Sequence, residues 1–258
     1  MSRLQRIASA DQSVRRNELL AMLREMNAPF THYREKIDKY WPENIVVSFA
    51  QNEQPRYVIA AHYDSVPEST GTNDNGAGVC ILLEMIQDFL ITPPTIALDI
   101  VFFDLEEVGV AGNLAYLERI GVQNILDMVN LDICGVGNAI LAALGTHIKD
   151  TPLEHTLKSV EALGKHPMQI VDRLPPGDDR VFEGRGIPSI TACIVPEEDV
   201  EMLVIAAQAI DGSGSFPEKP PSIFDTFHGR QRDDIAFIEE DAMAKMLAWT
   251  RDIVLQLQ

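Results

Sequence analysis

Residues 57–75, YVIAAHYDSVPESTGTNDN, decide the fold class of this chain. Val58 to Ala61 form an uncharged apolar run of the length of a buried strand, and His62 and Asp64 fall where that strand ends. A loop rich in Pro, Ser, Thr and Gly follows, and Asp74 then opens NGAGVCILLEMIQDFL, whose apolar residues recur at helical spacing. One strand-loop-helix unit thus gathers an imidazole and several carboxylates at a strand tip. This is a candidate metal site.

Working outward, the same pattern repeats. The helix from about Ala77 to Leu90 must stop at Thr92-Pro93-Pro94, because proline lacks the amide donor and clashes with the preceding turn. TIALDIVFFDLEE supplies a strand through Ile100 to Phe103, with Asp104, Glu106 and Glu107 crowded at its end. NLAYLERI reads as a helix, ILDMVNLDIC as a strand with Asp132 near its end, AILAALG as a strand, and LEHTLKSVEALG as a helix stopped by Gly164. GIPSITACIV is a further buried strand, VEMLVIAAQAI a helix or apolar connection, and EEDAMAKMLAWTRDIVLQL an amphipathic helix. On the amino-terminal side, residues 13–27 predict an amphipathic helix, and residues 30–37 and 44–50 two strands joined at Trp41-Pro42 that form the edge of the sheet. Residues 211–222, DGSGSFPEKPPS, predict a mobile loop. Such alternation implies an α/β fold with a mixed, mostly parallel central sheet flanked by helices on both faces. Ligands bind beyond the carboxyl ends of strands in such sheets.

Composition narrows the function. The chain has 258 residues, 46% of them hydrophobic, enough for one globular domain over 1–258 with a full core. The balance of 21 basic against 39 acidic residues gives a formal charge of −18, which repels nucleic acid and anionic membranes. MSRLQRIASADQSVRR lacks the apolar core of a secretory signal, no later run approaches a membrane span, and Cys80, Cys134 and Cys193 read as buried free thiols. The expectation is a cytoplasmic protein, or an exported one if a leader has been removed. No phosphate-binding GxxxxGK[ST] or GxGxxG occurs, and no GxSxG.

His62, Asp74, Glu106, Glu107 and Asp132 all lie at or just beyond predicted strand ends and can converge on one rim, with His228 as a late histidine to complete a ligand set. Two divalent ions sharing a site need a bridging carboxylate, a few N/O ligands each, and one carboxylate left uncoordinated to handle a water proton. Alternate residues leaving a strand point in different directions, so Glu107 can bind metal while Glu106 faces the water.

HYDS, TNDNGAGV, FFDLEEVGVAGN, VNLDICG, GIPS and FHGRQRDDI, in this order over roughly residues 57–240, resemble the zinc aminopeptidases of peptidase family M28. That resemblance implies a three-layer zinc-aminopeptidase fold and a peptidase that removes amino-terminal residues through a metal-bridged water. It implies two zinc ions, other divalent metals such as cobalt or manganese being compatible with the same ligands. Asp74 would bridge them, His62 and Asp132 completing one and Glu107 and His228 the other, with Glu106 as general base and acid. Asp64 would hold the second imidazole nitrogen of His62, and the Asp74–Asn75 peptide would be cis. The family often carries Ser-Asp-His where this chain has Gly177-Asp178-Asp179, so Asp178 and Asp179 are candidates to pair with a substrate ammonium, and Gly229 replaces a threonine common after the late histidine. Gly76 and Gly78 read either as helix-start packing or as an approach to substrate. The substrate would be a peptide or small aminoacyl compound. Dipeptidase and carboxypeptidase chemistries occur in other branches of the family. Two rival readings are a glutaminyl-cyclase-like aminoacyltransferase, which shares the fold and most ligands with a single zinc, and a catalytically silent binding module.

Overall fold

The computed structural model describes residues 1–50 and 55–257. Among these residues eight strands form one sheet: β1 (Thr31–Arg34), β2 (Glu43–Phe49), β3 (Arg56–His62), β4 (Leu98–Phe103), β5 (Ile125–Leu131), β6 (Ala139–Leu144), β7 (Met168–Val171) and β8 (Ser189–Val195). Their order is β1-β2-β4-β3-β5-β8-β6-β7. The central strands β4, β3, β5 and β8 run parallel, with His62 paired to Phe103 and Asn130 to Thr191, so their carboxyl ends emerge side by side. β1 and β2 form the edge that the sequence predicts, and they pair antiparallel. Beyond β8 the order departs from the simple alternation: β6 follows β5 in sequence but pairs antiparallel with β8, and β7 extends the edge in parallel.

Helices α1 (Ser2–Ile7), α2 (Gln12–Glu25), α3 (Ala77–Ile91), α4 (Ala111–Ile120), α5 (Pro152–Leu163), α6 (Asp179–Glu183), α7 (Val200–Ile210) and α8 (Glu240–Leu257) cover both faces. Strand alternation divides the core. Ile59, Ala61, Ile100 and Phe102 pack with α1, α2, α3, α5 and α8, whereas Val58, Ala60, Val101 and Phe103 pack with Tyr116 and Leu117 of α4 and Phe182 of α6. Each of the larger side chains contributes about 1.5–3 kcal/mol on burial. Several ends follow directly from local chemistry. The Asp11 carboxylate accepts hydrogen bonds from Ser13 N and Val14 N at the start of α2, Thr151 and Pro152 open α5, and Gly164 closes it in the left-handed conformation.

Some boundaries move. The predicted strand 30–37 shortens to Thr31–Arg34, because Asp38 at φ 53° turns the chain between Ile37 and Tyr40. The predicted helix 13–27 runs from Gln12 to Glu25, with Asn27 left-handed just beyond it. Residues 211–221 are turns, bends and coil, Ser222 opens a 3-10 turn, and the connection 200–210 is a helix. The three cysteines are buried and unpaired, and among the described residues no helix is long and apolar enough to cross a membrane.

Candidate metal centre and catalytic site

His62 closes β3, Glu106 and Glu107 sit in the turn after β4, and Asp132 leaves β5, so three neighbouring parallel strands deliver these groups to one rim. Asp74 enters from the turn before α3, where the Asp74–Asn75 peptide is cis. His228 arrives from the segment before α8. The geometry is organised by Asp74, whose two oxygens face different groups. Asp74 Oδ1 lies 3.2 Å from His62 Nε2, which is 3.7 Å from Asp132 Oδ1. On the other side, His228 Nε2 lies 3.8 Å from both Asp74 Oδ2 and Glu107 Oε2. Nitrogen and oxygen ligand atoms of His62, Asp74 and Glu107 all lie within 4.8 Å of one another.

Asp64 ties two parts of this rim together. Its carboxylate accepts hydrogen bonds from Glu106 N at 3.0 Å and Glu107 N at 3.1 Å, and its Oδ1 lies 3.4 Å from His62 Nδ1. The Asp64 main-chain oxygen is a second partner for the same nitrogen at 3.2 Å. Such contacts fix which imidazole nitrogen faces the site.

Burial shapes the charges. It raises the Glu106 carboxyl to about 7, with Asp132 and Asp64 adding to the rise and His62 and Arg180 opposing it. It raises Glu107 to about 8, helped by Asp74. Asp178 is driven well above the ordinary range by burial and by Glu106. Burial lowers the His62 imidazole, but Asp132, Asp64 and Asp74 outweigh it and the net direction is upward. Asp74 moves down, because hydrogen bonding and charge from His62 overcome its burial. Carboxylates packed this closely repel one another unless cations intervene, and Glu107 Oε1, Asp132 Oδ1 and both Asp178 oxygens are buried without hydrogen-bond partners. Imidazole nitrogens and carboxylate oxygens are suitable donors for zinc and neighbouring transition metals. The residues therefore fit divalent cations on either side of Asp74.

The sequence profile of peptidase family M28 matches residues 44–254. This chain belongs to peptidase family M28. Aminopeptidase YwaD of Bacillus subtilis is 35% identical over 80 residues, a stretch that is 30% of this chain and 18% of that relative's length. A zinc aminopeptidase of Bacillus subtilis superposes with a TM-score of 0.63 at 19% identity, covering 83% of this chain and 49% of the other. The glutaminyl cyclase of Porphyromonas gingivalis superposes with a TM-score of 0.70 at 19% identity, covering 99% and 96%. Both structures share the mixed, helix-flanked sheet described above.

The two remaining predicted residues part company. Asp178 is fully buried beside the Glu106 carboxylate, its main-chain oxygen accepting a hydrogen bond from Asn113 Nδ2. Asp179, half-buried, accepts from Gly177 N within its own loop. Next to them stands Arg180, whose Nη2 reaches Glu106 Oε1 at 3.4 Å.

Sequence reading missed the groups that hold the Asp74 loop. Asp233 accepts hydrogen bonds from Thr72 N and Asn73 N at 2.8 Å, Asp74 N at 3.5 Å and Ser69 Oγ at 2.6 Å, and so clamps the loop that carries Asp74 to the segment that carries His228. Arg15 of α2, fully buried, donates to the main-chain oxygens of Tyr63, Thr70 and Gly71 around the same loop. Gly71 sits at φ 55°, and a Cβ there would meet Arg15 Nη1 at 2.7 Å, so both conformation and space require glycine. Asn73 accepts from Gly135 N and donates to Thr226 Oγ1, and Asn75 donates to Leu131 O, binding the loop to the exit of β5. Left-handed backbone at Leu105, Ile133 and His228 concentrates strain beside these groups.

Beside the rim opens a cavity of about 110 Å³, walled by Ile133, Leu174, Cys193, Leu203, Ile223 and Phe227. Its lining is mostly apolar and also includes His62, Asp74, Glu106, Asp132, Thr191 and His228.

Proposed function

We propose that this chain is a metallo-aminopeptidase that hydrolyses the first residue from peptides. The observation that carries the proposal is the opposed facing of the two Asp74 oxygens, one towards His62 and Asp132 and the other towards Glu107 and His228. In this reading two zinc ions would be held by these residues, Asp74 shared between them, His62 and Asp132 serving one and Glu107 and His228 the other. Bound there, the cations supply Lewis acidity towards the scissile carbonyl and lower the pKa of the attacking water. Glu106 is assigned the proton. Burial raises this carboxyl and bound cations would lower it again, so that it could take a proton from water and return it to the departing amine. Asp64 holds His62 in orientation. Asp178, buried with two oxygens that lack hydrogen-bond partners, is read as the acceptor for the substrate ammonium group, and Asp179 as the support of its loop. The apolar cavity would accept the side chain of the residue removed, which favours an apolar one. The buried, unpaired thiols suit a reducing compartment such as the cytoplasm.

A second reading, cyclisation of amino-terminal glutamine, draws on the near-complete overlap with a glutaminyl cyclase in both chain length and fold. One experiment addresses both. Aminoacyl-p-nitroanilides and a glutamine-initiated peptide are offered to wild type and Glu106→Gln, with metal content measured on each. The aminopeptidase reading expects hydrolysis of leucyl-p-nitroanilide, retained metal in the variant, and a loss of at least ~100-fold in turnover. Unchanged turnover removes Glu106 from the mechanism, and pyroglutamate formation without hydrolysis selects the cyclase.

A further inference from the structure

We infer that Arg180 selects substrates bearing a free carboxylate immediately after the scissile bond, so that the preferred substrates are dipeptides. The inference rests on the peptidase reading above and concerns the side of the site that receives the leaving residue.

Glu106 lines the apolar cavity, whose walls do not include Arg180. Arg180 Nη2 lies 3.4 Å from Glu106 Oε1, and the Arg180 side chain is 45% exposed. If the cavity holds the side chain of the residue removed and Glu106 protonates the departing amine, that amine lies against Glu106 and its own residue extends towards Arg180. In a dipeptide the departing nitrogen and the terminal carboxylate hang from a single carbon. The carboxylate is therefore presented to a guanidinium already beside Glu106. A guanidinium matches a carboxylate with paired donors, and Arg180 contacts Glu106 through a single long interaction while 45% of its side chain is exposed.

Charge supports the same assignment. With a formal charge of −18, the protein as a whole repels an anionic substrate end. A cation at this one place offsets that repulsion where the dipeptide carboxylate would arrive. A longer peptide or a carboxamide has no such charge to offer there.

The test compares Leu-Gly with Leu-Gly-amide on the zinc-loaded protein, using wild type, Arg180→Gln and Arg180→Lys. Wild type is expected to favour the free dipeptide by ~10-fold or more in kcat/KM, mostly through KM, as one charge-assisted pair implies. Arg180→Gln should bring that ratio to about unity, with Arg180→Lys between, on the scale of a lost guanidinium–carboxylate pair. Calorimetric binding of a non-hydrolysable reduced-bond Leu-Gly analogue and its amide should show the same ratios. If Arg180 serves only to tune Glu106, the variant slows both substrates alike and the ratio persists, which overturns the inference. Hydrolysis of leucyl-p-nitroanilide together with equal use of Leu-Gly and its amide by wild type also overturns it while leaving the peptidase reading intact. Absence of hydrolysis on every substrate ends both.

Discussion

Replacing Asp233 by alanine should do more damage than its position outside the ligand set suggests. Its carboxylate is the acceptor for Thr72 N and Asn73 N at 2.8 Å and for Ser69 Oγ at 2.6 Å, all inside the loop that presents Asp74. Truncation strands two buried main-chain donors, each costing about 1–3 kcal/mol, and a hydroxyl that can turn elsewhere more cheaply. The sum is about 3–5 kcal/mol. Asp233→Asn keeps an acceptor but loses the charge, and should cost about 1–2 kcal/mol. Asp234, next in sequence, is the control: it is exposed and accepts one hydrogen bond from Ala236 N at 2.9 Å, so its truncation should cost about 0.5–1 kcal/mol. Urea unfolding at constant m-value reads these differences. Zinc titration of the same proteins should show affinity lowered ~10–100-fold in Asp233→Ala, the usual effect of losing a group that orients a ligand. A cost for Asp233→Ala within about 0.5 kcal/mol of that for Asp234→Ala would refute the clamp.

Three further outcomes are expected. Burial raises the Asp127 carboxyl to about 6, against about 3.9 in the unfolded chain, so its folded form disfavours the charge. The resulting penalty is absent below about pH 4, grows between about pH 4 and 6 and is complete at neutrality. Asp127→Asn should therefore raise stability by about 1–2 kcal/mol at about pH 7.5, solvent access reducing the full separation of the two values, and by little at about pH 4, as measured by urea unfolding at both. Gly78→Ala should place a Cβ 2.3 Å from Asn75 Oδ1, at the foot of α3, and displace the residue that anchors the Asp74 loop to Leu131. A loss of about 1–3 kcal/mol by thermal unfolding and a weaker zinc affinity follow, and a neutral result would show that the contact relaxes freely. Chelation should lower the melting temperature by several degrees, since saturation at ~100 times Kd contributes about 2.7 kcal/mol, and zinc should restore it.

Much of the fold is legible in local sequence because burial and periodicity coincide there. The runs 58–61 and 100–103 have no charge to place, and Pro93-Pro94 and Gly164 punctuate helices by backbone chemistry alone. Strand order is not legible in this way. Nothing local in AILAALG announces that β8, far later in the chain, inserts between it and β5. β7 is missed because four residues after His166-Pro167 carry too short a pattern, and α1 because one apolar stripe of Leu4 and Ile7 looks like any polar terminus. Within the site, the groups at strand ends are visible because carboxylates crowded directly after a buried run repel one another until a cation joins them. Their supports are not. Arg15 sits among the charges of an amphipathic helix yet is fully buried, and Asp233 and Asp234 form an acidic pair whose members differ only in what the fold brings to them. Arg180 reads as a helix-start charge until the turn after β4 is folded against it.

The proposed chemistry requires Asp74 to stand between two cations. Anomalous diffraction at the zinc absorption edge, from crystals of protein loaded with zinc, measures this directly. Two peaks are predicted, one within ~2.0–2.2 Å of His62 Nε2 and Asp132 and the other within the same distance of Glu107 and His228, with Asp74 reaching both. A single peak, or peaks that leave Asp74 uncoordinated, would contradict it.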